Sequence, residues 1–342
     1  MLFLTFLLVG VCQGCMAGKK TIGETATLPP PTETPLPSPT FTVTATPTRT
    51  HTATSTFTLT PSPTLTRTAT AVVLPTQLWN TYIWDVNYCT TGVERLFMDL
   101  YYPAQADGPS PVLVYVHGGG WVAGDKRNEG FLSYVPVFTD QGYLVVAINY
   151  RLSPRYKYPA HIVDVKCALR YLRANADLYY LDPDRIAIWG ASAGGHLAAL
   201  AGLAGPIAGY EQGQYLPYSS KVQAVIDFFG PIDIEAICSP ELVERFLGLD
   251  SCQNPNVKRA SPTFYARAGA PPFLIFHGDL DSVVPISHSL LLHDTLFQTG
   301  VDSTLVVVEN SGHGFYQHGE VISPSEEEIL QMMVVFLDRV LK

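Results

Sequence analysis

The chain has 342 residues, 47% of them hydrophobic, and a formal net charge of −9 at pH 7. An acidic balance of this size argues against nucleic acid as a partner, because nucleic-acid binding requires a basic surface. No Cys/His spacing typical of zinc and no glycine fingerprint for a dinucleotide occurs in a convincing context. The sequence therefore predicts neither a metal nor an organic cofactor.

The first 78 residues differ in composition from the rest. Residues 2–11, LFLTFLLVGV, form a short apolar run typical of a signal-peptide core, although no Lys or Arg precedes it. Residues 1–17 are accordingly assigned to a leader of signal or lipoprotein type. Thr and Pro dominate 21–76, and such a composition cannot bury enough surface to offset the entropy of ordering. Residues 18–78 are predicted to be a disordered stalk.

Two ways of processing the leader are compatible with its sequence. Cys15, preceded by Gly14, would become a lipid-modified N-terminus after cleavage, whereas cleavage after Ala17 would release a soluble secreted protein. The stalk favours the lipid anchor, because a spacer is expected to hold the domain away from a surface to which the protein is attached. We expect an exported protein, extracellular or at the cell surface, held at a membrane surface through Cys15.

From residue 79 onward the pattern alternates between apolar strands and amphipathic helices, which predicts one α/β domain over 79–342. The sheet is expected to be mostly parallel, with helices on both faces and the ligand site beyond the carboxyl ends of the strands. The predicted strands are 95–102 (an edge strand), 111–120, 143–150, 186–189, 222–230, 271–279 and 303–310, and the predicted helices are 161–174, 196–204, 286–299 and 325–341.

The stretch IAIWGASAGGHLAAL, residues 186–200, leads from a buried strand directly into a helix through small residues. Gly190, Ser192 and Gly194 fit the Gly-x-Ser-x-Gly pattern, which holds a serine oxygen at the top of the sheet. The amides at the start of the following helix favour developing negative charge. Ser192 is therefore a candidate nucleophile, and the alternative is a helix cap.

Three glycines follow His117 directly after another predicted strand. Successive glycines let the backbone approach a ligand and present free amides, so this loop and the Ala193 N–H are candidates for an oxyanion hole. The alternative is a flexible turn. The next residue, Trp121, either forms a wall of the acyl pocket or packs in the core.

The other two catalytic candidates follow the last two strands. Asp279 and Asp281 come after one strand, and Asp281 is the better partner for a histidine because Asp279 could cap the turn. His313 lies in a loop between two glycines, where an imidazole is well suited to act as a general base, and His318 is the fallback. The chain order Ser192, Asp281, His313 is the order expected for an α/β-hydrolase.

The stretches VYVHGGGWVAGDK, INYRLSP, DPDRIAIWGASAGGHLAAL, APPFLIFHGDLDSVVP and GHGF resemble the esterase/lipase α/β-hydrolases with an HGGGW loop. Within them, the chain is most similar to the bacterial bifunctional feruloyl/acetyl-xylan esterase-like group, over about residues 82–342. The resemblance implies a triad of Ser192, Asp281 and His313 and an oxyanion hole formed by the amides of Gly119, Gly120 and Ala193.

Segment 233–262 departs from the family pattern at the place where such hydrolases carry a lid. Cys238 and Cys252 lie within it, and export makes a disulfide between them permissible. We predict this disulfide and a lid-like role for the segment. Cys89 and Cys167 are the other two cysteines of the domain, and their pairing stays open.

These features predict a serine esterase that hydrolyses small acyl esters, of acetyl or feruloyl type, of extracellular carbohydrates or similar substrates. Two alternatives stay open. A peptidase of the prolyl oligopeptidase type shares the catalytic domain, but nothing before residue 80 could form the propeller of those enzymes. A catalytically silent binding module on a stalk would be expected to lack a member of the triad.

Overall fold

The computed structural model describes residues 81–342. The predicted leader at 1–17, the stalk at 18–78 and Cys15 lie outside the described residues and stay predictions. Within 81–342, no helix is both long enough and apolar enough to cross a bilayer.

Eight strands form one sheet with the order β1-β2-β4-β3-β5-β6-β7-β8. β2 pairs antiparallel with β1 and β4, and every other neighbouring pair is parallel. The mostly parallel sheet predicted from the alternating pattern is thus confirmed. The strands are β1 Tyr82–Thr91, β2 Glu94–Tyr101, β3 Ser110–Val116, β4 Leu144–Ile148, β5 Leu181–Ala191, β6 Ala224–Phe228, β7 Phe273–Gly278 and β8 Ser303–Val308.

The edge of the sheet is not where the sequence predicts it. The strand predicted at 95–102 is β2, and it has a neighbour on each side because β1 covers its outer edge. β1 was not predicted from the sequence, because the register of its pairing with β2 shifts between Ile83 and Val86 and again between Asn87 and Cys89. These irregularities break the period of two by which a half-buried strand is recognised.

Helices cover both faces of the sheet, as expected. The helix α1, Glu129–Thr139, was not predicted; it contains Pro136 and is capped by Asn128, whose side chain accepts a hydrogen bond from the Phe131 N–H. The longer helices are α1 Glu129–Thr139, α2 Ala160–Ala174, α4 Ala193–Leu203, α6 Ser287–Gln298 and α7 Glu326–Leu341, and the short ones are α3 Ala176–Tyr179 and α5 Pro240–Leu242.

Alternate residues of the central strands point into two separate cores. Val112 and Val114 of β3 pack in the core shared with α2, α4 and α6. Leu113 and Tyr115 point to the opposite face and pack with α1 and α7, around the fully buried ring of Trp189. This two-sided burial explains why the parallel strands appear in the sequence as continuous apolar runs.

Segment 233–262 consists of short helical turns joined by loops. α5 continues into a π-helical turn at Val243–Leu247, and a 3₁₀ turn follows at Val257–Ala260. The structure joins Cys238 to Cys252 in a disulfide, the pair expected from the sequence. A second disulfide links Cys89 of β1 to Cys167 of α2. The lid-like role of the segment stays a prediction.

Candidate active site

Ser192 occupies a strained corner between β5 and α4. Its backbone has φ 55° and ψ −121°, in the left-handed half of the map that side chains rarely adopt. The flanking glycines allow this corner, because a Cβ at Gly190 would lie 2.2 Å from the Gly194 carbonyl oxygen and one at Gly194 would lie 2.0 Å from the Val116 oxygen. The turn therefore requires glycine at these two positions of the predicted pattern.

The structure brings the three predicted catalytic residues into one hydrogen-bonded chain. His313 Nε2 lies 3.0 Å from Ser192 Oγ, and His313 Nδ1 donates to Asp281 Oδ2 at 2.7 Å. The other carboxylate oxygen, Asp281 Oδ1, accepts from the N–H groups of Val283 at 2.8 Å and Val284 at 2.9 Å. A carboxylate fixed in this way holds the imidazole with Nε2 free to accept the serine proton.

The two alternative candidates lie elsewhere in the hydrogen-bond network. Asp279 Oδ1 accepts from the Ser311 N–H at 3.1 Å and so fixes the loop that carries His313. The backbone N–H of His318 donates to Asn310 at 2.8 Å, and this histidine is exposed. The geometry thus places His313 rather than His318 next to the serine, and Asp281 rather than Asp279 next to that histidine.

A second imidazole, not singled out by the sequence analysis, touches the same carboxylate. His277 is fully buried, and its Nε2 lies 3.4 Å from Asp281 Oδ2. Its Nε2 donates to the Val284 carbonyl at 2.8 Å, and its Nδ1 contacts Ser289 Oγ at 2.6 Å. Burial lowers the pKa of His277, so this ring is held neutral and braces the loop of Asp281.

The glycine loop after β3 lies directly against the serine corner. A Cβ at Gly118 would be 2.8 Å from the Ala191 carbonyl oxygen, and Gly119 and Gly120 have φ values of 109° and 58°. Among the hydrogen bonds of residues 81–342, none is donated by the N–H groups of Gly119, Gly120 or Ala193. These N–H groups are therefore unused backbone donors in the residues next to Gly118 and Ser192, and their role as an oxyanion hole stays a prediction.

His117 orients this loop from a buried position. Its Nδ1 donates to the Gly118 carbonyl at 2.8 Å, and its ring stacks on Tyr150 with 4.3 Å between centroids. The Tyr150 hydroxyl in turn donates to the His117 carbonyl at 3.0 Å. Burial lowers the pKa of His117, which keeps the ring uncharged behind the glycines.

Trp121 makes the contacts of a packed residue. Its ring stacks on Phe246 at 4.1 Å, and its Nε1 donates to His196 Nδ1 at 3.2 Å. His196 Nε2 donates to the Ala260 carbonyl at 2.7 Å. Trp121 thus ties the glycine loop to α4 and to segment 233–262, and with 5% of its surface exposed it offers little area to a ligand.

The turn after β6 is part of the site, and no pattern in the sequence marks it. The Phe228 carbonyl accepts from the Ser192 N–H at 2.8 Å. The ring of Phe229 lies 4.6 Å from that of His313, on a backbone with φ 42°. Asp227 Oδ1 closes the turn by accepting from the Gly230 N–H at 3.1 Å. This turn therefore contacts both the serine and the histidine.

Asp227 is a buried acid behind the serine. It is fully buried, and its Oδ2 has no hydrogen-bond partner among the described residues. Burial raises the pKa of Asp227 to about 7. Among residues 81–342, no group of three or more His, Cys, Asp or Glu is arranged to hold a metal ion.

An α/β-hydrolase fold in which Ser192 is linked through His313 to Asp281 defines the class of this protein. The chain belongs to the BD-FAE family, whose sequence model matches residues 98–296. That match extends from β2 into α6 and includes the serine corner and Asp281.

Curated relatives agree with this assignment. Esterase LipC of Mycobacterium tuberculosis is 35% identical over 216 residues, which cover 60% of this chain and 53% of LipC. Esterase LipQ of the same organism is 35% identical over 240 residues, which cover 68% of this chain and 56% of LipQ. The chain thus spans about half the length of the curated relatives it matches.

Solved structures with the same fold include a truncated carbohydrate esterase from gut microbiota. It is 30% identical, with a TM-score of 0.65, and the match covers 77% of this chain and 96% of that one. A thermophilic esterase of Thermogutta terrifontis with butyrate bound is 27% identical, with a TM-score of 0.64, over 75% of this chain and 93% of that one.

Proposed function

We propose that this protein is a carboxylic ester hydrolase that works through an acyl-enzyme on Ser192. The observation that carries the proposal is the unbroken hydrogen-bond chain from Ser192 through His313 to Asp281, at 3.0 and 2.7 Å. A nucleophile, a base and an orienting carboxylate at these distances form the arrangement that acyl transfer requires.

The reaction follows from the positions of the groups. His313 Nε2 takes the proton of Ser192 Oγ as the oxygen bonds to the ester carbonyl carbon, and Asp281 stabilises the resulting imidazolium. The N–H groups of Gly119, Gly120 and Ala193 hold the oxyanion. His313 then gives the proton to the leaving alcohol oxygen. Water, deprotonated by the same histidine, releases the acid and restores the serine.

For the substrate we propose a small acyl ester, of acetyl or feruloyl type, on a carbohydrate or a similar alcohol. The support comes from the relatives: one structural neighbour is named a carbohydrate esterase, and another holds butyrate, a four-carbon acid. A Thermogutta terrifontis esterase 2 structure, 27% identical, is phosphorylated by paraoxon.

The test is labelling and turnover in one preparation. Paraoxon should add its phosphoryl group to Ser192, located by peptide mass spectrometry, and abolish hydrolysis of p-nitrophenyl acetate. Ser192→Ala should lower kcat by a factor on the order of 10⁴ to 10⁶ while the circular dichroism spectrum is unchanged. Labelling of another serine, or hydrolysis of a dipeptide amide at a rate equal to that of the ester, would contradict the proposal.

Substrate choice needs a separate screen. We expect acetylated xylan and methyl ferulate to be cleaved with a higher kcat/KM than long-chain p-nitrophenyl esters. Preference for the long chains would reject the carbohydrate assignment while leaving the ester hydrolase assignment intact.

We further propose that the domain works outside the cell, held at a membrane through Cys15. The support is the order of an apolar leader, a cysteine and a Thr/Pro-rich stretch in the sequence. Cells expressing the natural gene should retain the protein in the membrane fraction, and Cys15→Ser should release it. If the wild-type protein is found free in the medium with Gly18 as its first residue, the proposal of a lipid anchor is wrong and only the proposal of export survives.

A further inference from the structure

Two adjoining cavities lie at the far end of α4 from the serine corner. The first has a volume of about 660 Å³ and the second about 620 Å³, and both are lined by Gly205, Pro206 and Arg267. α4 has 11 residues, so a helix length of roughly 16 Å separates Ser192 from this place. We call the two cavities together the distal groove. Neither cavity is lined by Ser192, Asp281 or His313.

The distal groove is basic although the chain is acidic. Exposed cations line it, and within residues 81–342 none of them forms an ion pair with a carboxylate. The single acidic residue of the lining, Glu211, is already engaged by Lys166 at 3.0 Å and by Arg170. The exposed cations are Lys221, Lys258, Arg259 and Arg267.

Arg267 and Arg259 are held by carbonyl groups rather than by acids. Arg267 donates through Nη1 to the carbonyls of Leu203 and Tyr265, and no described residue accepts from its Nη2. Arg259 Nη2 donates to the Ala208 carbonyl at 3.1 Å. These bonds fix the guanidinium groups in place and leave their charge without a counter-ion. A guanidinium of this kind is suited to a carboxylate ligand.

Exposed rings accompany the cations in both cavities. Tyr218 lines the first with 45% of its surface exposed, and Phe264 lines the second with 50% exposed. The ammonium of Lys258 lies 5.3 Å from the centre of the Phe264 ring, and Ile207 beside it is fully exposed. Flat apolar faces next to cations fit a ligand that is itself apolar on one face and anionic at its edge.

We propose that the distal groove is a second binding site, for an oligosaccharide that carries uronate carboxylates. Sugar rings lie on Tyr218 and Phe264, and the carboxylates meet the cations. The choice of a sugar rests on the carbohydrate substrate proposed above. The net charge of −9 also disfavours a densely charged polyphosphate, which the rest of the surface repels over about a Debye length, roughly 10 Å.

Binding is measured by calorimetry on the Ser192→Ala protein, so that no ester is consumed. The probes are a xylotetraose bearing one glucuronate branch, unbranched xylotetraose, and a single-stranded oligonucleotide of ten thymidines. The glucuronate probe should bind, its affinity should fall as salt is raised, and the neutral sugar should bind at least about fivefold more weakly, the size of an exposed charge contact.

Variants locate the site. Lys221→Gln and Phe264→Ala change exposed side chains of the groove and should each weaken binding of the glucuronate probe by about twofold to fivefold. Arg339→Gln removes an exposed cation from α7, on the other face of the sheet, and should leave binding unchanged. In protein that retains Ser192, each of the three changes should leave hydrolysis of p-nitrophenyl acetate unaltered.

Each contrary result has a distinct meaning. Absence of binding, equal binding of the neutral sugar, an equal effect of Arg339→Gln, or tighter binding of the oligonucleotide overturns the distal groove as a uronate site. If the wild-type protein binds the glucuronate probe but does not hydrolyse esters, the proposed function is wrong and the distal groove remains a binding site.

Discussion

The turns after β5 and β6 each place a residue with a side chain at positive φ beside the same histidine. Ser192 has φ 55° and Phe229 has φ 42°. The turns are joined where the Ser192 N–H donates to the Phe228 carbonyl. The first turn supplies the nucleophile and the second supplies support, so the chemistry of the site depends on both.

The two turns differ in what forces their shape. Around Ser192 the shape is permitted by two glycines of the same short stretch, since a Cβ at Gly190 would meet the Gly194 carbonyl and one at Gly194 would meet Val116 of β3. Around Phe229 it depends on Asp227, whose Oδ1 would lie 2.5 Å from a Cβ at Gly230 and 2.2 Å from one at Gly195. Asp227 is thus wedged between the turns. The first turn can be recognised from a pattern of adjacent residues in the sequence. The second can be recognised only from contacts between strands in the structure.

Both turns contact His313. The largest effect on kcat is expected from changing the carboxylate that orients this histidine. Asp281→Asn should lower kcat by up to about 10⁴, because an amide in place of the carboxylate favours the wrong imidazole tautomer. Asp279→Asn, the matched control, keeps the acceptor for the Ser311 N–H and should cost far less. Steady-state kinetics on p-nitrophenyl acetate decide this, and equal losses would mean that the carboxylate has been misassigned.

The next largest effect is expected from Asp227, which lies between the two turns. The pKa is about 7 in the folded protein against 3.8 for an ordinary aspartate, so between these values the folded state binds more protons than the unfolded state. Stability must therefore fall as the pH rises from about 4 to about 7. The full pKa difference corresponds to roughly 4 kcal/mol of folding free energy. This is an upper bound, because the structure around Asp227 can relax.

Asp227→Asn removes this titration. The free energy of unfolding of the wild type, measured in urea relative to that of the variant, should be highest near pH 4 and lowest above pH 8. Because every other titrating group is common to both proteins, the difference reports Asp227. A difference that stays constant across this range would show that the carboxyl is not neutral in the folded protein.

The sequence could predict the parts of this molecule that are local. Buried parallel strands are continuous apolar runs, and the Gly-x-Ser-x-Gly corner carries its own glycines, so β3 to β8 and Ser192 were recognised. His313 and Asp281 could be predicted as partners of Ser192, because chemistry at strand ends leaves few candidates. The serine–histidine–aspartate chain is consequently the part of the site that reasoning on residues alone could reach.

What escaped prediction depends on distant partners. β1 is irregular and shows its strand character only when paired with β2. His277 lies among apolar strand residues, and its contact with Asp281 arises from the fold of the loop between them. Trp121 was open to two interpretations until the structure placed it against Phe246, more than a hundred positions away in the chain.

The smallest of these three effects on the turns is also the most direct test of the turn after β6. Phe229→Leu keeps an apolar side chain but removes the ring face next to His313, so the imidazole gains freedom to turn away from Ser192. kcat should fall about tenfold with KM unchanged, since misplacement of the base affects the reaction rather than binding. The control is Phe276→Leu, a fully buried ring on β7 that contacts Phe228. It should cost comparable stability with little change in kcat. If both variants lose activity only in proportion to stability, Phe229 is part of the core and does not position the histidine.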